Sequence, residues 1–361
     1  MATTLSEAYR DHPLHLHHII PLDFSSFRTL PDSHAWPQSN DDCNDHLTSN
    51  INGCFDESCI PIIDLNDPNA MEQIGLACEK WGAFQLRNHG IPLNLIEEVE
   101  EEAKRFFSLP SKEKVKALRS SGGATGYGRA RISPFFPKYM WHEGFTIMGS
   151  PSNDAKKIWP NDYKRFCDKM ENYENQMKML SEKVTKMIFN ILGISQQENK
   201  WVGSNNHCGA IQLNFYPSCP DPNKAMGLAP HTDTSLLTIL HQSQTSGLQI
   251  FKEGVGYVPV HPHPNTLIVH TGDILHILSN SRFRCALHRV VVNNVKNRYS
   301  VAYFYVPPID YLVQPFVPTN SLPRFRSLSV KEYIGIKAKN LGGALSLIST
   351  FLDDDLCQQG K

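Results

Sequence analysis

His231-Thr232-Asp233, with His288 downstream and the run Arg298-Tyr299-Ser300 beyond it, is the part of this chain equipped for chemistry. Two histidines and one carboxylate make the ligand set of a non-haem Fe(II) facial triad, which leaves coordination positions open for a co-substrate and O2. Arg298 adds a planar fork that can clamp a carboxylate through two parallel hydrogen bonds, a geometry lysine lacks. The Ser300 hydroxyl offers a third donor. The set points to an oxygenase that needs iron and a keto acid. A bare His-x-Asp is weak evidence in a chain with 16 histidines; the distal His and the Arg-x-Ser run give the pattern its specificity. The rival readings are a pair of buried, hydrogen-bonded histidines beside a surface Asp, and a zinc hydrolase. The hydrolase would need a base placed to activate water, and no H-E-x-x-H helix is present.

Strands must position these groups. Residues i and i+2 of a strand share a face, so His231 and Asp233 can reach one metal from one strand with Thr232 turned away. His288 has to arrive from another strand of a closed sheet. It lies in Cys285-Ala-Leu-His-Arg-Val-Val-Val292, a β-branched run that reads as a buried strand. Asn293-Asn294 reads as a turn. The strand Arg298-Tyr-Ser-Val-Ala-Tyr-Phe-Tyr305 follows, with Arg298 and Ser300 on one face.

Around this centre the pattern divides the chain into residues 1–55, a variable and partly ordered segment; 56–200, a helical domain; 201–310, a jelly-roll catalytic domain; and 311–361, a loop and helices. His12, His15, His17 and His18 fall in the first segment, where no Cys or carboxylate completes a metal site. A strand is expected at 60–65, a helix over 70–80, a strand at 83–87 and a helix over 93–108. Residues 120–150, rich in Gly and aromatics, predict loops or hairpins. Phe166, Met170, Tyr173, Met177, Leu180, Val184, Met187 and Ile191 repeat at three and four and predict a long helix over 162–193 with one apolar stripe. Many short strands fill 210–306, as in a jelly roll. A helix near 329–340 and an amphipathic segment over 344–352 close the chain.

Composition sets the outer bounds. With 40% hydrophobic and 20% charged residues, the chain has the profile of an ordinary soluble enzyme. A net charge of −1 offers no basic excess to attract nucleic acid and no polybasic membrane patch. The sequence has no apolar run of membrane-spanning length, and its first residues lack the apolar core of a signal peptide. Nine cysteines, scattered, odd in number and without a C-x-x-C pair, predict reduced thiols and a cytoplasmic location. The absence of coiled-coil heptads makes a monomer the expectation.

The chain resembles the plant 2-oxoglutarate/Fe(II) dioxygenases over roughly residues 58–340. The marks are Ile60-Pro-Ile-Ile-Asp-Leu65, Ala77-Cys-Glu-Lys-Trp-Gly-Ala-Phe84 with Asn88-His-Gly-Ile91, Phe106-Phe-Ser-Leu-Pro110, Asn214-Phe-Tyr-Pro-Ser-Cys-Pro220 and the triad with Arg298-Tyr-Ser300. The resemblance implies a mixed α and β fold, a distorted double-stranded β-helix (jelly roll) flanked by helices. It implies Fe(II) as cofactor, 2-oxoglutarate and O2 as co-substrates, and ascorbate as reductant. It gives Tyr216 contact with the distal carboxylate of 2-oxoglutarate beside Arg298 and Ser300, and puts Asn214 next to it. Longer segments are similar to the gibberellin 3-beta-hydroxylases: His18 to Pro37, Gly126-Tyr-Gly-Arg-Ala-Arg-Ile-Ser133, Met140-Trp-His-Glu-Gly-Phe-Thr-Ile147 and His276-Ile-Leu-Ser-Asn280. The sequence departs from that group at Thr234-Ser235, where Ser-Thr is usual, and at His270, where Asn is more frequent; both touch on regiospecificity.

A substrate of that class is a rigid diterpenoid acid, which needs an apolar pocket and a cation. Tyr127, Trp141 and Phe145 are candidate walls; Arg129, Arg131 and Lys138 are candidate carboxylate partners. The alternatives are 2-beta or bifunctional hydroxylation, another plant metabolite such as a flavonoid, and a catalytically silent hormone-binding protein.

Overall fold

The computed structural model describes residues 5–37, 59–195, 199–204, 208–317 and 321–350. Single 3-10 turns punctuate the N-terminal segment at Leu5–Tyr9, Leu16–His18, Phe24–Ser26 and Asp32–His34. Then come β1 (Ile62–Asp64), α1 (Ala70–Lys80), β2 (Ala83–Arg87), α2 (Leu93–Phe107), α3 (Ser111–Lys114), β3 (Gly126–Gly128), β4 (Glu143–Ile147), α4 (Ser152–Ile158) and α5 (Tyr163–Leu192). The strand-rich half holds β5 (Cys208–Tyr216), β6 (Met226–His231), β7 (Leu237–Gln242), β8 (Leu248–Lys252), β9 (Gly256–Pro259) and β10 (Leu267–Thr271). It continues through α6 (Asp273–Leu278), β11 (His288–Val291) and β12 (Arg298–Val306), and the short pair β13 (Leu312–Val313) and β14 (Leu328–Ser329) leads into α7 (Val330–Asn340).

Two sheets face each other. The larger runs β1-β2-β10-β7-β12-β5-β4-β3, the smaller β6-β11-β8-β9. This is the jelly-roll core with flanking helices. Period-two alternation divides the larger sheet between two environments. On β12, Val301, Tyr303 and Tyr305 pack under the helices, while Arg298, Ser300, Ala302 and Phe304 line the space between the sheets. On β5, Ile211 and Leu213 go to the helices, and Gln212, Asn214 and Tyr216 go inward.

Helix α5 supplies most of the helical cover. Phe166, Met170, Tyr173, Met177, Leu180 and Val184 are buried as the periodicity predicts. Toward its C-terminus the stripe drifts, so Ile188 and Phe189 take the buried positions and Met187 and Ile191 pack at the margin. The drift follows from 3.6 residues per turn against a three-and-four repeat. Gly193, at φ 71°, ends the helix in a left-handed cap. The expected segment 344–352 contains only a single turn at Ser346–Ile348, and its last two positions lie outside the described residues. Among the described residues no helix is long and apolar enough to cross a membrane.

The N-terminal segment is seated more firmly than its polar composition predicts. Leu5 and Ala8 join the main core, and Phe24 stacks edge-on against Trp141 at 4.5 Å in the second. Gly272, between β10 and α6, clamps the loop after the Asp233 region. Its N–H donates to the Leu236 carbonyl, and a Cβ there would meet the Ser235 carbonyl oxygen at 1.9 Å. Gly272→Ala is expected to destabilise the fold by at least about 2 kcal/mol, whereas Gly342→Ala, in open space, should stay within about 0.5 kcal/mol. Denaturant unfolding of both variants checks this, and equal midpoints would refute the clamp.

Candidate active site

His231 is the last residue of β6 and pairs in register with His288, the first residue of β11. Asp233 lies two residues past the end of β6, so the His-x-Asp pair straddles a strand end rather than sharing one strand. The ligand atoms of His231, Asp233 and His288 all lie within 4.8 Å of one another. Each group is oriented by a second hydrogen bond. His231 Nδ1 meets the Ala229 carbonyl at 2.8 Å and His288 Nδ1 meets the Ala286 carbonyl at 3.0 Å, which leaves both Nε2 atoms free. Thr238 donates to Asp233 Oδ2 at 2.7 Å, and Ser235 meets the Thr238 hydroxyl at 2.9 Å. Asp233 Oδ1 stays on the Nε2 side, 3.6 Å from His231. Outer partners of this kind fix ring tautomer and carboxylate orientation at metal sites, so the residues fit a divalent ion.

Electrostatics agree with the geometry. Burial pushes the His288 imidazole down to about 3, helped by His231, and burial also lowers His231. Both rings are therefore neutral at physiological pH, the form that ligates. Burial alone would raise the Asp233 carboxyl, but His288, His270 and His231 outweigh it and hold it well below the usual carboxylate range. Thr232, just past β6, lines the cavity too, and its hydroxyl accepts from Lys337 of α7 at 2.6 Å. Lys337 also pairs with the buried Asp273, which accepts a 2.7 Å hydrogen bond from Tyr333.

A second cluster sits on β12, β5 and β7. Arg298 is opposite Tyr216 and Ser300 opposite Asn214. Arg298 is 1% exposed. It donates to Gln242 Oε1 at 3.0 Å and, at the long distance of 3.5 Å, to Ser300 Oγ. Its Nε has no partner, and among the described residues no carboxylate pairs with it. Asn214 Nδ2 lies 3.4 Å from Ser300 Oγ, while Asn214 Oδ1 meets His142 Nε2 at 3.0 Å. Arg298, Ser300, Tyr216, Asn214, His142 and the triad line one cavity of about 570 Å³, with Gln242 behind Arg298.

The substrate candidates divide. Tyr127, Trp141 and Phe145 do not line the cavity. Tyr127 and Phe145 are paired neighbours on β3 and β4 that face the helices, and Tyr127 donates to the buried Glu143 at 2.8 Å. Trp141 packs in the smaller core. The reason is strand parity: the inward positions of this edge are His142, Thr146 and Met148. Arg131 does line the cavity, but its terminal nitrogens donate to the Gly123 and His12 carbonyls at 2.5 and 2.8 Å. Lys138 donates to the Asp32 carbonyl. Sequence reasoning passed over His142, Gln242, Lys337 and Arg119. For His142 and Gln242, alternation from Thr146 and from Thr238 was the available signal.

His270 lies inside the site, 2% exposed, with its Nδ1 3.9 Å from Asp233 Oδ2 and its ring 4.6 Å from that of His288. Neither ring nitrogen has a hydrogen-bond partner among the described residues.

Comparison with known proteins follows the same lines. The profile of the 2OG-Fe(II) oxygenase superfamily matches residues 207–307, and that of the non-haem dioxygenase in morphine synthesis N-terminal matches residues 60–165. The chain is 48% identical over 355 residues to gibberellin 3-beta-dioxygenase 1 of Pisum sativum, covering 96% of this chain and 93% of that one. It is 44% identical to gibberellin 3-beta-dioxygenase 1 of Arabidopsis thaliana, covering 96% and 98%. Among solved structures it superimposes on JOX2 in complex with 2OG, Fe and JA with a TM-score of 0.77 and 28% identity, covering 91% of this chain and 96% of that one.

His142 generates a pH prediction. Burial lowers its imidazole to about 4, against about 6.5 in the unfolded chain. Between these values the unfolded state binds the extra proton, so stability falls as pH drops from 6.5 toward 4, by on the order of 3 kcal/mol. His142→Gln should flatten that acid limb in denaturant titrations at stepped pH; an unchanged slope would refute the assignment.

Proposed function

Because the chain belongs to the 2OG-Fe(II) oxygenase superfamily, alongside the gibberellin 3-beta-dioxygenases, we propose that it hydroxylates a gibberellin at C3 on the beta face, the activating step of that hormone's biosynthesis. In this reading one O2 is consumed, one oxygen atom entering the substrate and the other the succinate formed, with CO2, from 2-oxoglutarate. His231, Asp233 and His288 hold Fe(II). Arg298, Ser300 and Tyr216 receive the far carboxylate of 2-oxoglutarate, and Asn214 lies beside them. Ascorbate keeps the metal reduced. We read the enzyme as a cytoplasmic monomer whose partner is a small diterpenoid acid.

The observation that carries this reading is Arg298: a guanidinium 1% exposed, lining the triad's cavity, with no described carboxylate to pair with. Burying a lone cation is costly unless a counter-charge arrives. A dicarboxylate that spans from the metal ligands to Arg298 supplies it.

Bound Fe(II) and 2-oxoglutarate supply the oxidising chemistry. The chain's residues supply orientation and dryness. Gln242 holds the Arg298 fork from one side, so a carboxylate meets a planar donor already in place. His142 Nε2 donates to Asn214 Oδ1, since that oxygen only accepts, and the Asn214 amide nitrogen is thereby turned toward Ser300. Leu228, Leu240, Leu248, Val290 and Ala302 give the cavity an apolar flank suited to a rigid hydrocarbon skeleton.

Succinate release by Fe(II)-loaded protein with 2-oxoglutarate, O2 and ascorbate should rise on addition of a gibberellin lacking the 3-hydroxyl, with a 3β-hydroxylated product by mass and position. A 2β product would instead support the bifunctional reading, and no gibberellin-dependent succinate would remove the hormone assignment. His231→Ala should abolish turnover. Arg298→Lys should raise the 2-oxoglutarate KM roughly 10- to 100-fold, because the bidentate clamp is lost; an unchanged KM would remove Arg298 from that role.

A further inference from the structure

Arg298 is not the only buried cation on the cavity. Arg119 and Arg129 are 3% and 8% exposed, and both line it. They are joined, since Arg119 Nη2 donates to the Arg129 main-chain oxygen at 2.6 Å. Among the described residues neither makes an ion pair, and Arg119 Nε and Arg129 Nη1 have no hydrogen-bond partner.

Their position sets them apart from Arg298. Arg129 directly follows β3, while Arg298 opens β12, and β4 and β5 lie between. At about 4.8 Å per strand spacing the two ends are roughly 14 Å apart. His142 stands between them, feeling Arg119 as well as His231 and Arg298. A 2-oxoglutarate engaged at Arg298 leaves the arginine pair unanswered.

The pair is built to take a planar anion. The Arg129 guanidinium stacks on the Tyr139 ring at 3.6 Å. Stacking occupies its face, and Nη1 on its edge remains without a partner. Neighbouring Arg131 is different, because its terminal nitrogens are already given to the Gly123 and His12 carbonyls. Burial, with Arg131 nearby, pulls the Arg119 guanidinium down to about 9, the signature of a cation kept from water without a counter-charge.

We propose that Arg119 and Arg129 form a second carboxylate subsite, which holds the acid group of the substrate at the end of the cavity remote from Arg298. The proposal rests on the reading of the chain as a hydroxylase of a diterpenoid acid, and it deepens that reading: the carboxylate, not the hydrocarbon alone, selects and orients the substrate.

The test measures dissociation constants with Fe(II) and 2-oxoglutarate present and O2 excluded. Ligands are used as acid and methyl ester pairs: a 3-deoxy gibberellin, and abietic acid as a rigid diterpenoid acid of another skeleton. Wild type is expected to prefer acid over ester by at least about tenfold, the scale of one charge-assisted hydrogen-bonded pair. Arg129→Gln and Arg119→Gln should bring the ratio near one, and Arg129→Lys, which keeps the charge and loses the fork, should fall between. The ratio cancels any general loss of fold. A ratio that survives both Gln variants overturns the subsite, as does a wild type indifferent to esterification in both pairs. A wild type that discriminates only within the abietic pair supports the subsite and removes the gibberellin reading, so the two fail separately. If the Gln variants do not fold, Arg129→Lys decides: an unchanged ratio overturns the proposal.

Discussion

A strand has two faces, and in the larger sheet every central strand is committed on both. One face must satisfy a packed apolar layer under the helices, the other a cavity that has to take a polar guest. This constraint places the groups around Arg298. On β12 it sends Tyr303 and Tyr305 to the helices and Arg298 and Ser300 to the cavity. A shift of one residue would exchange them. The pairing of Arg298 with Tyr216 and Ser300 with Asn214 depends on the same register.

The cavity also has an unbalanced charge. Arg298, Arg119 and Arg129 are nearly dry, and none has a described carboxylate partner. Most buried charges in proteins are paired within the chain, because desolvation is costly. Here the compensation is left to whatever enters. That arrangement lowers stability in the free protein and turns the same energy into affinity for anions. The triad works in the opposite sense. Its histidines are held neutral and its carboxylate ionised, so the net negative charge awaits a cation.

Much of this was legible in the residues. The triad, Arg298 and Ser300 stand out because metal and anion chemistry admit few residue types, and the strand settings of His288, Arg298 and Ser300 follow from β-branched runs. The stripe of α5 was visible for the same reason of periodicity. What stayed hidden depended on edge strands. Tyr127, Phe145 and Trp141 belong to a segment rich in Gly and aromatics, where alternation is short and the apolar count cannot tell cavity wall from core. Arg129 and Arg131 look equivalent in sequence, yet main-chain carbonyls satisfy one and not the other. Gln242 and His142 are ordinary residues whose meaning comes only from the partner they orient. The departures at Thr234-Ser235 and His270 prove to be inside the site: Ser235 supports Thr238, and His270 faces Asp233.

Lys337 ties α7 to Thr232, the residue between two of the triad's groups, and α7 packs on the turn at Leu5–Tyr9. The turn at Leu5–Tyr9 and α7 thus meet over the chamber they help to enclose. A protein made from its N-terminus cannot finish this arrangement until residues 330–340 have been made. Both sheets can form earlier, but the loop carrying the triad gains its outer brace only when the final helix docks. A chain that stops short of this helix carries the triad without the brace that Lys337 gives it.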